Sequence, residues 1–352
     1  PACKLVAEGA LPPRGRRPPP PHAPPRTPPH RAAPTPAPAK CAPQSWARSP
    51  RRPRSRAPRH RRGCRSRCAG SPPNARWRWP AVEDALKMAK LNKEDIDFII
   101  FSTAMPDYFL PGSGCLLQEK MGFPLIGALD IRVQCAGFVY GLSIADQFIK
   151  SGTYDNVLLV CSEVQSTTID YSNRGRDVAV LFGDGAGAVI VSATNKDKGI
   201  LSHHLHSEGK YAKELWIETP SAQMYPRLTD ELVKDGRHHL KMNGREVFKQ
   251  AVKRFPEVIM ECLEHNNIGA NEIDLFLPHQ ANIRINKMVQ DRLGLEDEQV
   301  FNNIHKYGNT TSATIPILLS EAHKSGKIKD GDLILMAAFG SGFTWGASLM
   351  RW

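Results

Sequence analysis

Residues 129–149 read LDIRVQCAGFVYGLSIADQFI. Residues 129–133 form a short apolar stretch suited to a strand. From residue 138 to 149 the apolar positions recur at helical spacing, and Gly152 follows as a stop. The strand hands over to the helix across Gln134-Cys135-Ala136-Gly137, which puts a cysteine at a helix N-terminus. Unpaired N–H groups and the positive end of the helix stabilise a thiolate there. Thiol pKa values near 8.5 fall to about 3.5–7.5 in such places. Ala136 and Gly137 leave room for a substrate to approach the sulfur. The plainer reading is a buried structural cysteine, the commoner fate of this residue.

The same alternation extends outward from this junction. Upstream, residues 81–91 read as a helix and 96–102 as a buried strand. Downstream, 157–161 is a buried strand, and 178–182 and 186–191 read as two strands joined by Gly183-Asp184-Gly185. A second set follows, with strands at 200–206, 273–277, 333–339 and 344–350. Its helices are at 245–264, 283–293 and 311–323, and Pro256 is expected to kink or split the first of them. Alternating helices and strands are an α/β signature. Two successive sets of similar size suggest a duplicated architecture.

Composition marks where this pattern begins. The chain has 352 residues, 47 basic and 35 acidic, for a net charge of +12. Residues 1–80 hold 19 of the basic residues, a single acid at Glu8 and 21 of the 29 prolines. The remainder carries 28 basic and 34 acidic residues and is mildly acidic. The whole-chain pI of 9.4 is therefore no argument that the folded part binds nucleic acid. Residues 1–80 have too little apolar surface to offset the entropy of ordering them and read as a disordered Pro/Arg-rich tail. A basic interaction tail, a transit peptide and wrongly translated upstream sequence are the three explanations for it. Cys115, Cys135, Cys161 and Cys262 of the body lack disulfide or zinc spacing, which points to a reducing compartment and to no metal site. No run of about 18 apolar residues is present, so no transmembrane helix is expected.

Two further residues stand where open α/β sheets hold ligands. His279, in LPHQAN at 277–282, lies just past a buried strand; a hydrogen-bonded structural histidine is the alternative. Asn309, in YGNTTS at 307–312, could equally be an ordinary helix cap. The Gly-rich runs at 182–187 and 339–342 lack the Lys-Ser/Thr ending of a phosphate loop. They suit close backbone packing, and the turn at Gly340 could aim an N–H at an oxyanion.

From about residue 81 to 352 the chain resembles the β-ketoacyl-acyl-carrier-protein synthase III family of condensing enzymes. Five motifs carry the resemblance: CAGF at 135–138, FGDGAGAV at 182–189, PHQANIRI at 278–285, YGNTTSAT at 307–314 and AFGSGFTWG at 338–346. It implies the thiolase fold, two similar βαβαβαββ halves in five layers, at 81–196 and 197–352, forming a homodimer. It implies a catalytic set of Cys135, His279 and Asn309, with the backbone N–H groups of Cys135 and Ser341 as oxyanion hole. Asn282 and Phe339 match pantetheine-tunnel positions, and Lys249 and Arg284 match the carrier-protein docking surface, although a solvated helix face explains the last two nearly as well. The implied reaction is a decarboxylative condensation of an acyl-CoA primer with malonyl-carrier protein that starts fatty acid synthesis, without a cofactor. The implied setting is the cytoplasm, or a plastid if the tail is a transit peptide, with no membrane partner. A condensing enzyme priming polyketide or secondary-metabolite synthesis is the main alternative. A Cys-His-Asn hydrolase and an inactive fragment, or a nucleic-acid binder driven by the tail, are the others. The family's first strand and its WI-x-x-RTGI-type motif for gripping coenzyme A have no match in residues 1–80, so the first half is expected to be incomplete.

Overall fold

The structure, a computed structural model, describes residues 2–8, 73–194 and 196–352. The first set of elements is β1 (Ala2–Glu8), α1 (Pro73–Ala89), β2 (Phe98–Ser102), α2 (Ser113–Met121), β3 (Gly127–Ile131), α3 (Gly137–Lys150), β4 (Asn156–Glu163), α4 (Arg176–Ala179) and β5 (Gly185–Thr194). The second is β6 (Gly199–Ser207), β7 (Leu215–Trp216), α5 (Asp230–Lys234), β8 (Lys241–Met242), α6 (Gly244–His265), β9 (Leu275–Pro278), α7 (Ile283–Leu293), α8 (Ile304–Tyr307), α9 (Thr314–Lys324), β10 (Leu333–Gly340) and β11 (Thr344–Arg351).

The strands form two main sheets, ordered β1-β5-β4-β2-β3 and β6-β11-β10-β9. In the first, β2 runs parallel to β3 and β4, while β5 returns antiparallel to β4. In the second, β10 runs parallel to β9, and β11 returns antiparallel to β10 and β6. Each half therefore closes on an antiparallel strand pair, β4 with β5 and β10 with β11. β4 and β10 are apolar almost throughout and buried end to end, as strands covered on both faces must be.

Helices separate and flank the sheets. Between them lie α3 and α9, whose Leu142, Ala145, Ile149, Ile315, Leu318 and Leu319 share one buried cluster with Leu159, Val189, Leu277 and Met336 from both sheets. Helices α6 and α7 cover the outer face of the second sheet through Phe255, Ile259, Leu263, Ile285 and Val289. The outer face of the first sheet is covered by α1 and α2 through Val82, Ala85, Leu86 and Leu117. The order helix, sheet, helix, sheet, helix is the five-layer arrangement that the motifs imply.

Four expectations change. The first helix begins at Pro73, eight residues before the composition shift at 81. Residues 1–80 are also not a tail throughout, because Ala2–Glu8 adds an edge strand to β5, with Ala2 opposite Ala188 and Glu8 opposite Thr194. The first sheet thus has a strand where none was expected, but β1 runs parallel to β5, whereas its counterpart β6 runs antiparallel to β11. The rest of the expected tail, residues 9–72, lies outside the described residues. Residues 178–182 are not a strand. Val178 is buried in α4, Val180 is exposed, and Phe182 makes a single bridge to Asn309. Finally, α6 passes through Pro256 without splitting, because its face of Phe255, Val258, Ile259 and Cys262 is held against the sheet on both sides of the proline.

Candidate active site

Three chain crossings bring the candidate residues together at the C-terminal ends of parallel strands. Cys135 follows β3 in a 3-10 turn, Gln134–Ala136, that leads straight into α3. Gln134 takes a left-handed φ of 45° to make that handover. His279 follows β9, and its backbone N–H extends the ladder to Ala337 O at 2.8 Å. Asn309 precedes the turn into α9; its N–H donates to Leu181 O at 2.8 Å and its carbonyl accepts from Gly183 N at 3.0 Å. All three are buried, and all three line one cavity of about 110 Å³. Phe339, Gly340, Asn282 and Asn286 line it too, and most of its other walls are apolar, from Leu215, Met242, Val247, Phe248 and Phe255. Such a narrow apolar channel suits a thin flexible chain with a reactive end.

Gly340 is required by close approach. A Cβ there would lie 2.5 Å from Cys135 Cβ and 2.9 Å from its sulfur. The next residue, Ser341, directs its backbone N–H at the thiol, as does Cys135 itself. These two N–H groups are the pair expected to form the oxyanion hole. Their pull is outweighed. Burial pushes the Cys135 thiol up to about 12, and the Glu163 carboxylate adds to the rise. The expected low thiol pKa is thus corrected: the helix end is present, but the resting sulfur is enclosed and faces a buried acid.

Burial also pushes the His279 imidazole down to about 3, so the ring is neutral. Its Nδ1 contacts Thr314 Oγ1 at 2.6 Å, while its Nε2 is buried with no protein partner among the described residues. Asn309 accepts from Thr311 N through Oδ1 at 2.8 Å, which leaves its amide nitrogen as the donor for a ligand. Gln165 Nε2 donates to Thr311 Oγ1 at 2.8 Å and fixes the backbone between Asn309 and Thr314.

The remaining expected residues are more dispersed. The Asn282 side chain caps α7 by accepting from Arg284 N at 2.9 Å while also lining the cavity. Lys249 on α6 and Arg284 on α7 are exposed. No group of His, Cys, Asp or Glu among the described residues could hold a metal ion. No described helix is long and apolar enough to cross a membrane. Sequence reasoning missed Glu163, Gln165, Ser312 and Thr314. The signal for Glu163 was a carboxylate ending the otherwise apolar strand VLLVCS.

A five-layer α/β duplication with a buried cysteine, histidine and asparagine around an apolar channel defines a condensing enzyme of the thiolase fold. Residues 129–209 match the family 3-oxoacyl-[acyl-carrier-protein (ACP)] synthase III, and residues 263–352 match its C-terminal family. The β-ketoacyl-[acyl-carrier-protein] synthase III of Clostridioides difficile is 43% identical over 272 residues, 77% of this chain and 81% of that protein. The crystal structure of 3-oxoacyl-[acyl-carrier-protein] synthase III from Aquifex aeolicus is 42% identical and superposes with a TM-score of 0.69 over 77% of this chain and 82% of the other. The priming β-ketosynthase of the R1128 polyketide pathway is 30% identical, with a TM-score of 0.69 over 76% and 79%. The chain belongs to the β-ketoacyl-[acyl-carrier-protein] synthase III family, enzymes that transfer and condense acyl groups.

Proposed function

We propose that this chain condenses an acyl-CoA primer with malonyl-carrier protein through an acyl-Cys135 intermediate, and so starts fatty acid synthesis. The observation that carries the reading is the convergence of Cys135, His279 and Asn309 on one apolar channel. The Cys135 sulfur attacks the primer thioester, forming acyl-Cys135 and releasing coenzyme A with the thiol proton. The N–H groups of Cys135 and Ser341 face the oxyanion of that step. Malonyl-carrier protein then enters, and His279 Nε2 and the Asn309 amide hydrogen-bond its thioester carbonyl. Loss of carbon dioxide leaves an enolate at that carbonyl. Its carbon attacks acyl-Cys135, giving the 3-oxoacyl-carrier protein and returning the cysteine, which takes up a proton. Two easier steps replace one difficult one.

Asn282 and Phe339 border the channel that would hold a pantetheine arm. Lys249 and Arg284, exposed on the helices beside that channel, supply positive charge that would steer an acidic carrier protein. The unpaired edge of β3, where Leu129 is exposed beside Leu125, supports a homodimer with sheets joined across that edge. The 43% identity to the Clostridioides difficile synthase III, against 30% to the polyketide-priming relative, supports the fatty-acid reading. A cytoplasmic setting, with acyl-CoA and carrier protein as the only small and protein partners, follows from that reading.

Mass spectrometry after incubation with acetyl-CoA tests it. One acetyl group is expected on Cys135, and none on Cys135→Ser. His279→Ala or Asn309→Ala should lower carbon dioxide release from malonyl-carrier protein by roughly 100-fold or more, the scale of losing one preorganised donor, with a smaller loss of Cys135 acylation. Acetyl groups on Cys115 or Cys161, or equal loss of both half-reactions, would count against it.

A further inference from the structure

Glu163 takes no part in the steps above, yet it is enclosed beneath them. It ends β4 and is fully buried. Its carboxylate accepts from Ala104 N at 2.9 and 3.1 Å and from Thr103 Oγ1 at 3.3 Å, both just past β2. It also accepts from Ser312 Oγ at 2.5 Å and Ser312 N at 3.4 Å, within the segment that carries Asn309, Thr311 and Thr314. Beside Ser312 lies the start of α3. A Cβ on Gly137, two residues after Cys135, would sit 3.1 Å from Ser312 Cβ. One carboxylate therefore ties the ends of two strands to the asparagine segment, next to the turn that holds the nucleophile. No Lys or Arg pairs with it among the described residues.

Donors around a carboxylate favour its ionised form, and burial opposes them. Burial prevails here and pushes Glu163 up to about 7. The titratable groups near its charge are Cys161 on its own strand and Cys135 before α3; both thiols are pushed upward, first by burial and further by this charge. Across the cavity stands His279, neutral through burial.

We propose that Glu163 is a positioning residue of this site: through Ser312 it fastens the segment bearing Asn309, and it sets a negative charge next to the turn that holds Cys135. This rests on Cys135 being the acyl-carrying residue. The carboxylate thus fixes the segment of the decarboxylating amide through its four donor groups.

Glu163→Gln separates charge from shape. The amide can donate to Ser312 Oγ, whose hydroxyl then turns to the Ser102 carbonyl, 3.4 Å away. The experiment measures Cys135 alkylation by iodoacetamide against pH, mapped by peptide mass, in folded parent and variant. The midpoint is expected to fall by about one pH unit or more in Glu163→Gln, the usual scale for a neighbouring charge. The rate well above pH 7, where Glu163 is ionised in the parent, should rise roughly tenfold with it. Ser312→Ala keeps the charge and removes the fastening, and should slow carbon dioxide release from malonyl-carrier protein roughly tenfold or more. An unchanged alkylation midpoint in folded Glu163→Gln overturns the charge role. Parent-like decarboxylation in Ser312→Ala overturns the anchoring role, and that arm decides if Glu163→Gln does not fold. If acetyl-CoA leaves parental Cys135 unmodified, the function proposed above falls, and this inference with it; acetylated Cys135 with either negative result removes this inference alone.

Discussion

At Thr314 a single hydroxyl proton has two claimants. Thr314 Oγ1 lies 3.0 Å from Thr311 O and 2.6 Å from His279 Nδ1. If the proton goes to Thr311 O, His279 must carry its own proton on Nδ1, and Nε2 is an acceptor. If it goes to Nδ1, Nε2 carries the proton and becomes the donor that decarboxylation needs. The neutral ring has only these two forms. Thr314→Val should therefore lower carbon dioxide release roughly tenfold while sparing Cys135 acylation, and Thr314→Ser should restore it. Nitrogen NMR of His279 in acyl-enzyme should show the Nε2–H form in parent and Thr314→Ser; parent-like turnover in Thr314→Val would refute the role. The three central residues were legible because each sits in a short contiguous motif. Thr314, Ser312 and Glu163 were not, because their importance lies in contacts across 35 and 149 positions of chain. For the same reason the Cys135 pKa was misjudged. The helix end is local and readable, whereas burial and the Glu163 charge are tertiary.

Among the elements, β3 is the exception to a buried design. β2 and β4 are enclosed, but β3 leaves Gly127, Ala128 and Leu129 exposed at the sheet edge. Nearby, Leu125 is fully exposed, and the loop before α2 exposes Tyr108, Phe109 and Leu110. Open edges with apolar flanks invite pairing, and inward or edge charges block it. Leu129→Lys is expected to shift the protein from dimer to monomer in sedimentation velocity at micromolar concentration. A parent that sediments as a monomer would remove the dimer proposal. The pattern of this strand, interrupted by Asp130 and followed by Arg132, differs from the solid apolar runs of β4 and β10 and could have flagged an edge. Elements with one dominant face were read closely, and α7 matches its sequence limits. The misread 178–182 has apolar residues with divided destinations, one in the core, one in solvent and two at the cavity.

For the molecule as a whole, two buried groups act against each other as pH changes. Glu163 holds its proton to about 7 when folded but releases it near 4.5 when unfolded, so stability falls as pH rises through that interval. His279 stays neutral down to about 3 when folded but binds a proton below 6.5 when unfolded, so stability falls as pH drops below 6.5. Over the shared window the two slopes, each about 1.4 kcal/mol per pH unit, cancel. Urea denaturation of the parent between pH 4.5 and 6.5 should show no net slope from this pair. Glu163→Gln should lose stability on acidification through the same window at about 1.4 kcal/mol per pH unit. Equal slopes in both proteins would show that the pair does not titrate this way. The duplication was legible from the order of patterns. The strand at Ala2–Glu8 was not, because seven residues within a proline- and arginine-rich context give no periodic signal.

Cys135 and Asn309 stand in the turns that lead into α3 and α9, the two helices with a sheet on either side. Proteins commonly carry their ligand groups on segments that open locally, at little free energy. Here Cys135 and His279 follow the edge strands β3 and β9, but Cys135 and Asn309 lead into helices packed between the two sheets. The amide hydrogens of these two helices are expected to be among the slower to exchange with solvent, which hydrogen exchange checks. The proposed reaction geometry would then share the opening free energy of the enclosed helices rather than that of the surface.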